Sequence, residues 1–183
     1  MAILFVSLAM LAIIVLIALR IYAIRLRTAQ SPATSKRRDD VCGFSVDLEI
    51  NDKRSLFILL GADGSINRLG TGTLENTENG LFIGKTDPGI FQAVRAQLST
   101  EVFQFLGGQF QLKNPAGASC KLTIAFQFND NSSNGFVFLY GAESEGPPIE
   151  VANLVRAAVR QSDSWYDTFK RNVSRRNSEG NPP

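Results

Sequence analysis

The sequence predicts an α+β protein in which an apolar N-terminal helix precedes one domain built on a mostly antiparallel sheet of five or six strands. Three observations support this prediction. The chain begins with a long uncharged apolar run. From residue 43 onward, segments that alternate between apolar and polar residues are joined by short turns, which favour antiparallel pairing. Two regions with helical apolar spacing accompany the strands, and we expect both to pack on the sheet.

The apolar run is long enough to cross a membrane. Residues 2–19 carry no charge, and as a helix they would span about 27 Å, close to a hydrocarbon core of about 30 Å. The Arg20 side chain can reach the headgroups, so the predicted contact with the lipid bilayer extends over residues 2–24. Because no basic residue precedes the run, we predict an uncleaved transmembrane anchor. A cleaved secretory signal and a buried helix are the alternatives.

Basic residues lie on one side of this anchor only. Six of them occur between the apolar run and residue 38: Arg20, Arg25, Arg27, Lys36, Arg37 and Arg38. By the positive-inside rule, this asymmetry predicts a single-pass signal-anchor with its N-terminus outside and the domain in the cytoplasm. An extracytoplasmic domain is the alternative. In the cytoplasm, Cys42 and Cys120 would be reduced thiols.

Composition divides the chain into four segments. They are the anchor and basic flank at 1–27, a polar linker at 28–42, the globular domain at 43–172, and a basic, polar tail at 173–183 that we expect to be disordered.

Charge differs between the flanks and the domain. Residues 43–169 carry 9 basic and 14 acidic side chains, whereas the flanking segments are both net basic. Nucleic-acid binding depends on neutralising phosphates, so we predict no nucleic-acid partner for this acidic domain. The basic flanks suit an anionic lipid surface.

The strands are predicted from alternation and from short apolar runs. In the first strand, Phe44, Val46, Leu48 and Ile50 alternate with polar residues. The expected strands cover residues 44–50, 55–60, 66–69, 81–85 and 120–128, with 136–140 after a polar turn. The segment around 110–112 is an optional further strand. The segments at 55–60 and 136–140 are apolar on both faces, which favours central positions or cover on both sides.

The helices are predicted from capping residues and apolar stripes. Asp87 is expected to cap a helix with Pro88 at its first position, and residues 99–106 to form a second short helix. The last helix would open after Gly146-Pro147-Pro148. Ser162 or Asp163 would then cap a separate final turn.

Three aromatic residues crowd that final turn: Trp165, Tyr166 and Phe169. One interpretation is that they lock the last helix onto the sheet. The other is that they form an exposed patch for a partner protein or the bilayer interface.

No motif for catalysis is visible. The chain has no histidine and only two cysteines, so we predict no enzyme, no cofactor and no metal site. Gly70-Thr71-Gly72 begins like a dinucleotide fingerprint, but Glu75 occupies the third glycine position. Glu75, Glu78 and Asp87 could form an acid–base pair, although a solvated loop is the ordinary interpretation.

We therefore expect a single-pass membrane protein with a small non-catalytic interaction domain, whose partner is another membrane protein. One alternative is a hydrolase that uses carboxylates alone. Another is an extracytoplasmic structural subunit whose gross layout resembles a minor pilin, although the apolar run starts at Ala2 without a basic leader, a Gly-Phe processing site or the usual glutamate. The sequence leaves the oligomeric state open.

Overall fold

The computed structural model describes residues 36–73 and 80–179, with side chains up to residue 173 and at Arg175. The predicted anchor at 1–27 and the first part of the linker lie outside the described residues. Among the residues described, no helix combines the length and the apolar composition needed to cross a bilayer.

In the described part of the chain seven strands form one sheet, and the predicted α+β class is confirmed. The strands are β1 (Val41–Ile50), β2 (Lys53–Gly61), β3 (Ser65–Leu69), β4 (Phe82–Lys85), β5 (Gln109–Gln111), β6 (Ser119–Phe128) and β7 (Ser133–Gly141), in the order β4-β3-β2-β1-β6-β7-β5.

The expected count of five or six strands was wrong, and the sheet is mixed. β5 pairs with β7 in parallel, while every other neighbouring pair is antiparallel. The chain between β4 and β5 carries it from one edge of the sheet to the other. A three-residue strand after such a crossover has no local turn that would fix its direction.

The helices are α1 (Gly89–Ala96) and α2 (Ile149–Glu179), together with 3₁₀ turns at Arg38–Asp40 and Thr100–Phe105. Just before α1, the Asp87 carboxylate accepts a hydrogen bond from the Gly89 N–H at 2.6 Å. The N-cap residue of α1 is Pro88, however, which was expected at the first helical position. The expected second short helix is the 3₁₀ turn at Thr100–Phe105.

Helix α2 is continuous over 31 residues, so the predicted break at Ser162 or Asp163 was wrong. Ser162 is fully buried, and its hydroxyl donates to the Ala158 carbonyl one turn earlier at 2.7 Å. It therefore bonds inside the helix instead of capping a new one. The helix also continues to Glu179, into the segment 173–183 that was expected to be a disordered tail. It contains no glycine or proline before Gly180.

The core lies between the helices and one face of the sheet. Val46 is buried at the centre of this face, paired with Ile58 on β2 and with Ile124 on β6. Phe91 of α1 and Leu154 of α2 belong to the same buried cluster. Within the described part of the chain, this core covers a single face of the sheet.

The opposite face is less covered. Phe57 and Leu59 of β2 point to it and are only half-buried. β2 is an interior strand, as its apolar composition indicated, but the described helices cover it on one face only.

Candidate protein-interaction site at the β4 edge

Among the described residues, strand β4 is the last strand on its side of the sheet, and β3 is its one partner there. The Thr86 N–H just after β4 donates to the Gly64 carbonyl at 2.8 Å, so the backbone groups at this position point towards β3. Backbone groups alternate in direction along a strand. Those of Phe82 and Gly84 therefore point towards β3, and those of Ile83 and Lys85 point out of the sheet.

Two large apolar side chains are exposed at this edge. Leu81 is 45% exposed and Ile83 is 64% exposed. Among the described residues, the third exposed large hydrophobic side chain is Ile149, at the start of α2. Ile83 pairs with Asn67 and lies between Phe82 and Gly84, so its side chain points to the face that the helices leave open.

Helix α2 places an aromatic cluster against the inner face of the same strand. The Phe82 ring lies 5.5 Å from the Tyr166 ring and 5.6 Å from the Phe169 ring, both edge-on, measured between ring centres. Trp165 and Phe169, one helical turn apart, lie 5.0 Å from each other. A Cβ atom at Gly84 would come within 2.8 Å of the Trp165 indole, so the absent side chain lets the indole lie over the strand.

The three aromatic residues differ in exposure. Tyr166 is 2% exposed and therefore belongs to the core, whereas Trp165 and Phe169 are half-buried. Tyr166 therefore fixes the helix, and its two neighbours leave part of their rings at the surface. We call Leu81, Ile83, Trp165 and Phe169 together the β4 edge surface.

A buried arginine holds α2 against the strands behind this surface. Arg68 of β3 is 1% exposed, and its guanidinium lies 4.9 Å from the centre of the Tyr166 ring. It donates hydrogen bonds to the Gly70 and Val159 carbonyls, the Ser162 hydroxyl and the Asp163 carboxylate.

The Tyr166 hydroxyl makes a second contact between α2 and the end of β3, at Gly70. It accepts a hydrogen bond from the Gly70 N–H at 3.0 Å. Because the Tyr166 side chain is buried, this bond satisfies a backbone group that has little access to water.

The charged groups at this edge are paired within the domain. Lys85 Nζ lies 2.5 Å from Asp63 Oδ2 in the β2–β3 turn, and this contact, together with hydrogen bonds from Ser65, holds the pKa of the Asp63 carboxyl well below its usual range. Lysine side chains commonly protect edge strands from pairing. Here the lysine is directed towards Asp63 in the β2–β3 turn, and Ile83 remains exposed on the open face of the sheet.

The predicted membrane-flank residues lie elsewhere. Arg20, Arg25 and Arg27 are outside the described residues. Lys36 and the exposed Arg37 precede β1, and Arg38 donates from Nη1 to the Ala96 carbonyl at the end of α1, at 3.4 Å. None of these three described basic residues belongs to the β4 edge surface.

Sequence reasoning missed Leu81, Ile83 and Arg68. An available signal for Arg68 was its spacing of two from Ile66, which puts both side chains on the same face of β3. For Ile83, no signal in the sequence shows that β4 is an edge strand.

The other candidate groups do not form a site with these residues. Glu75 and Glu78 lie outside the described residues, and Asp87 binds the start of α1. Cys120 is buried, which raises the pKa of its thiol, and burial likewise raises the pKa of Tyr140, opposite it on β7, to about 12. Across residues 36–73 and 80–179, no group of three Cys, Asp or Glu side chains is arranged to hold a metal ion.

Comparisons with protein families, with curated proteins and with solved structures find no match to this chain.

Proposed function

We propose that this chain is a membrane-anchored, non-catalytic interaction protein whose domain binds a protein partner through the β4 edge surface. The observation that carries the proposal is the exposure of Leu81 and Ile83 on an unpaired edge strand. An edge strand offers backbone donors and acceptors, and exposed apolar side chains beside it add area that association removes from water.

The half-buried rings of Trp165 and Phe169 lie on the inner face of β4, opposite Ile83, so the edge has apolar side chains on both faces. Aromatic residues are enriched at the energetically important positions of protein interfaces. The rigid backing by Tyr166 and Arg68 means that little conformational freedom would be lost on binding.

The sequence supplies the membrane part of the proposal. Residues 2–24 would anchor the chain, and the basic flank from Arg20 to Arg38 would keep the domain on the cytoplasmic side. The partner would then be another protein of the same membrane.

Site-specific photo-crosslinking in intact cells tests this proposal. A photoreactive amino acid replaces Ile83 in the full chain, and the matched control carries it at Ile149, which is similarly exposed at 58%. Ile149 lies 16 residues before Trp165, or about 24 Å along the helix. We expect a discrete crosslinked product in the membrane fraction from position 83 and none from position 149.

Either of two results would contradict the proposal. One is equal or absent crosslinking at both positions, which would mean that the β4 edge surface has no partner. The other is recovery of the full chain in the soluble fraction, which would remove the membrane anchor.

A further inference from the structure

We infer that the C-terminal end of α2, residues 170–179, binds the anionic lipid headgroups of the leaflet next to the domain. We call this segment the α2 end. The inference rests on the membrane anchor of the proposed function, but it concerns a different surface and a different ligand. Electrostatic attraction at the α2 end would hold the domain against the bilayer in one orientation.

The α2 end lies beyond the last described strand. Along the helix, Ser162 contacts Arg68 of β3, and Phe169, two turns later, contacts Phe82 of β4. The helix therefore crosses the strands in the direction of the β4 edge. It continues to Glu179, about 15 Å past Phe169, with no described strand left to cover it. A flat surface can thus approach the α2 end without contact with the sheet.

Charge separates the α2 end from the rest of the domain. Residues 170–183 carry four basic side chains and one acidic side chain, whereas residues 43–169 carry 9 basic and 14 acidic side chains. An anionic surface therefore repels most of the domain and attracts the α2 end. This difference gives the domain a preferred orientation at such a surface.

Two arginines present the charge of the α2 end to solvent. Arg171 and Arg175 are one helical turn apart, and both are exposed. The Arg171 guanidinium donates hydrogen bonds to the Asp167 carbonyl and the Thr168 hydroxyl, each at 3.3 Å. Both acceptors are neutral, so these bonds orient the guanidinium without neutralising it.

Anionic lipid is the ligand that the position of the domain favours. Residues 25–40 separate the predicted bilayer segment from β1, and 16 residues span at most about 55 Å. The domain therefore stays close to the headgroups. Anionic lipids face the cytoplasm, which is the side that the basic flank predicts for the domain. Four basic side chains bind such a surface weakly by themselves, but the anchor keeps the α2 end near it.

The experiment measures how strongly headgroup-labelled nitroxide lipids quench a fluorophore on the α2 end of the full chain in vesicles. The fluorophore is attached to Asn172→Cys, an exposed position, in a Cys42→Ser background, since Cys120 is buried. Asn153→Cys is the matched label position, also exposed on α2 and about 28 Å away along the helix. In vesicles that contain phosphatidylserine, we expect about threefold stronger quenching at position 172 than at 153. In phosphatidylcholine alone, quenching should be equally weak at both.

Two pairs of arginines test whether charge causes the contact. Arg171→Gln with Arg175→Gln removes two charges from the α2 end. The matched control, Arg156→Gln with Arg160→Gln, removes two charges from exposed positions with the same spacing in the same helix. We expect quenching at the α2 end to fall to the phosphatidylcholine level in the first pair and to stay unchanged in the second. Added salt should weaken it in the wild-type chain.

Three results would overturn the inference. One is equal quenching at the α2 end with and without phosphatidylserine, which would favour an acidic protein as its ligand. The second is retention of the phosphatidylserine-dependent quenching after loss of Arg171 and Arg175. The third is the same loss of quenching in both arginine pairs, since attraction would then not depend on the α2 end.

The crosslinking experiment at position 83 separates this inference from the proposed function. No crosslinked product at position 83, together with phosphatidylserine-dependent quenching at position 172, would contradict the protein partner and support lipid binding. A product at position 83 without such quenching would do the reverse. If the full chain failed to float with vesicles of either composition, there would be no anchor, and both would be wrong.

Discussion

The guanidinium of Arg68 lies 4.9 Å from the centre of the Tyr166 ring, and both side chains are almost completely buried. This contact joins β3 to α2 at the point where α2 reaches the edge of the sheet. Because Phe82 packs against Tyr166, the position of β4 depends on it as well. The buried contact between Arg68 and Tyr166 therefore supports the β4 edge surface from the inner side of the sheet.

Removal of the Arg68 side chain should destabilise the domain strongly. Arg68→Ala leaves a cavity and takes hydrogen bonds away from Gly70, Val159 and Ser162, and we expect a loss of about 3 kcal/mol in the free energy of unfolding. Asp163→Asn is the comparison: it removes the charge opposite the buried guanidinium but keeps an oxygen that can accept the hydrogen bond, so we expect a smaller loss than for Arg68→Ala. Denaturant unfolding of the full chain in mild detergent measures both. Equal losses would mean that the ion pair with Asp163, and not the hydrogen bonds to Gly70, Val159 and Ser162, accounts for the stabilisation.

Removal of the Tyr166 hydroxyl alone should lower the free energy of unfolding of the domain. Tyr166→Phe keeps the ring contacts with Phe82 and Arg68 but leaves the Gly70 N–H without its partner. We expect a loss of about 1–3 kcal/mol, measured in the same unfolding experiment. An unchanged stability would show that water replaces the hydroxyl.

A methyl group at Gly84 should displace the indole of Trp165. Gly84→Ala brings a Cβ within 2.8 Å of the ring, and we expect destabilisation by about 1–3 kcal/mol with a shift of the fluorescence to longer wavelength. Trp165 is the only tryptophan in the chain, so fluorescence reports this contact directly.

Gly43→Ala is the matched control for this change. A Cβ at Gly43 in β1 would meet only ordinary contacts, the nearest at 3.5 Å. We expect no change in fluorescence and a change of less than about 0.5 kcal/mol in stability. If both alanine variants behaved alike, the close approach of Trp165 to β4 would be refuted.

The stability of the domain should fall at alkaline pH in a way that depends on Tyr140. Burial raises the pKa of its hydroxyl from about 10 to about 12 in the folded state, so the neutral form is favoured by folding. The resulting stabilisation is fully present below pH about 10 and is lost as the pH rises to about 12. Unfolding curves across this interval measure the loss, and Tyr140→Phe should remove that part of the pH dependence. The same slope in Tyr140→Phe would contradict the assignment.

The two thiols should react differently in the folded protein. Cys42 is partly exposed at the start of β1, whereas Cys120 is buried and its thiol pKa is raised by that burial. A membrane-impermeant thiol reagent should therefore label Cys42 alone after permeabilisation of the cells, and Cys120 only after unfolding. Labelling of Cys42 in intact cells would instead put the domain outside the cytoplasm.

Much of the secondary structure could be predicted because it depends on local patterns. The alternation around Val46 predicts a strand wherever that strand lies in the sheet. Asp87 binds the N–H of Gly89, the first residue of α1, which is only two residues away. The predicted helix break at Ser162 was wrong because, in the sequence alone, a serine inside a helix cannot be distinguished from a serine that caps a new helix. Its partner, Arg68, is 94 residues away along the chain.

The sequence by itself determined the α+β class, the approximate strands and helices, the apolar segment at residues 2–24 and the charge pattern that predicts its orientation. Only the tertiary structure decided that β4 is an edge strand, that β5 runs parallel to β7, and that Tyr166 is buried while Trp165 and Phe169 reach the surface. The periodicity of apolar residues in the sequence indicates which face of a helix or strand is apolar. Whether that face meets the core, a neighbouring strand or water depends on contacts between residues far apart in the chain.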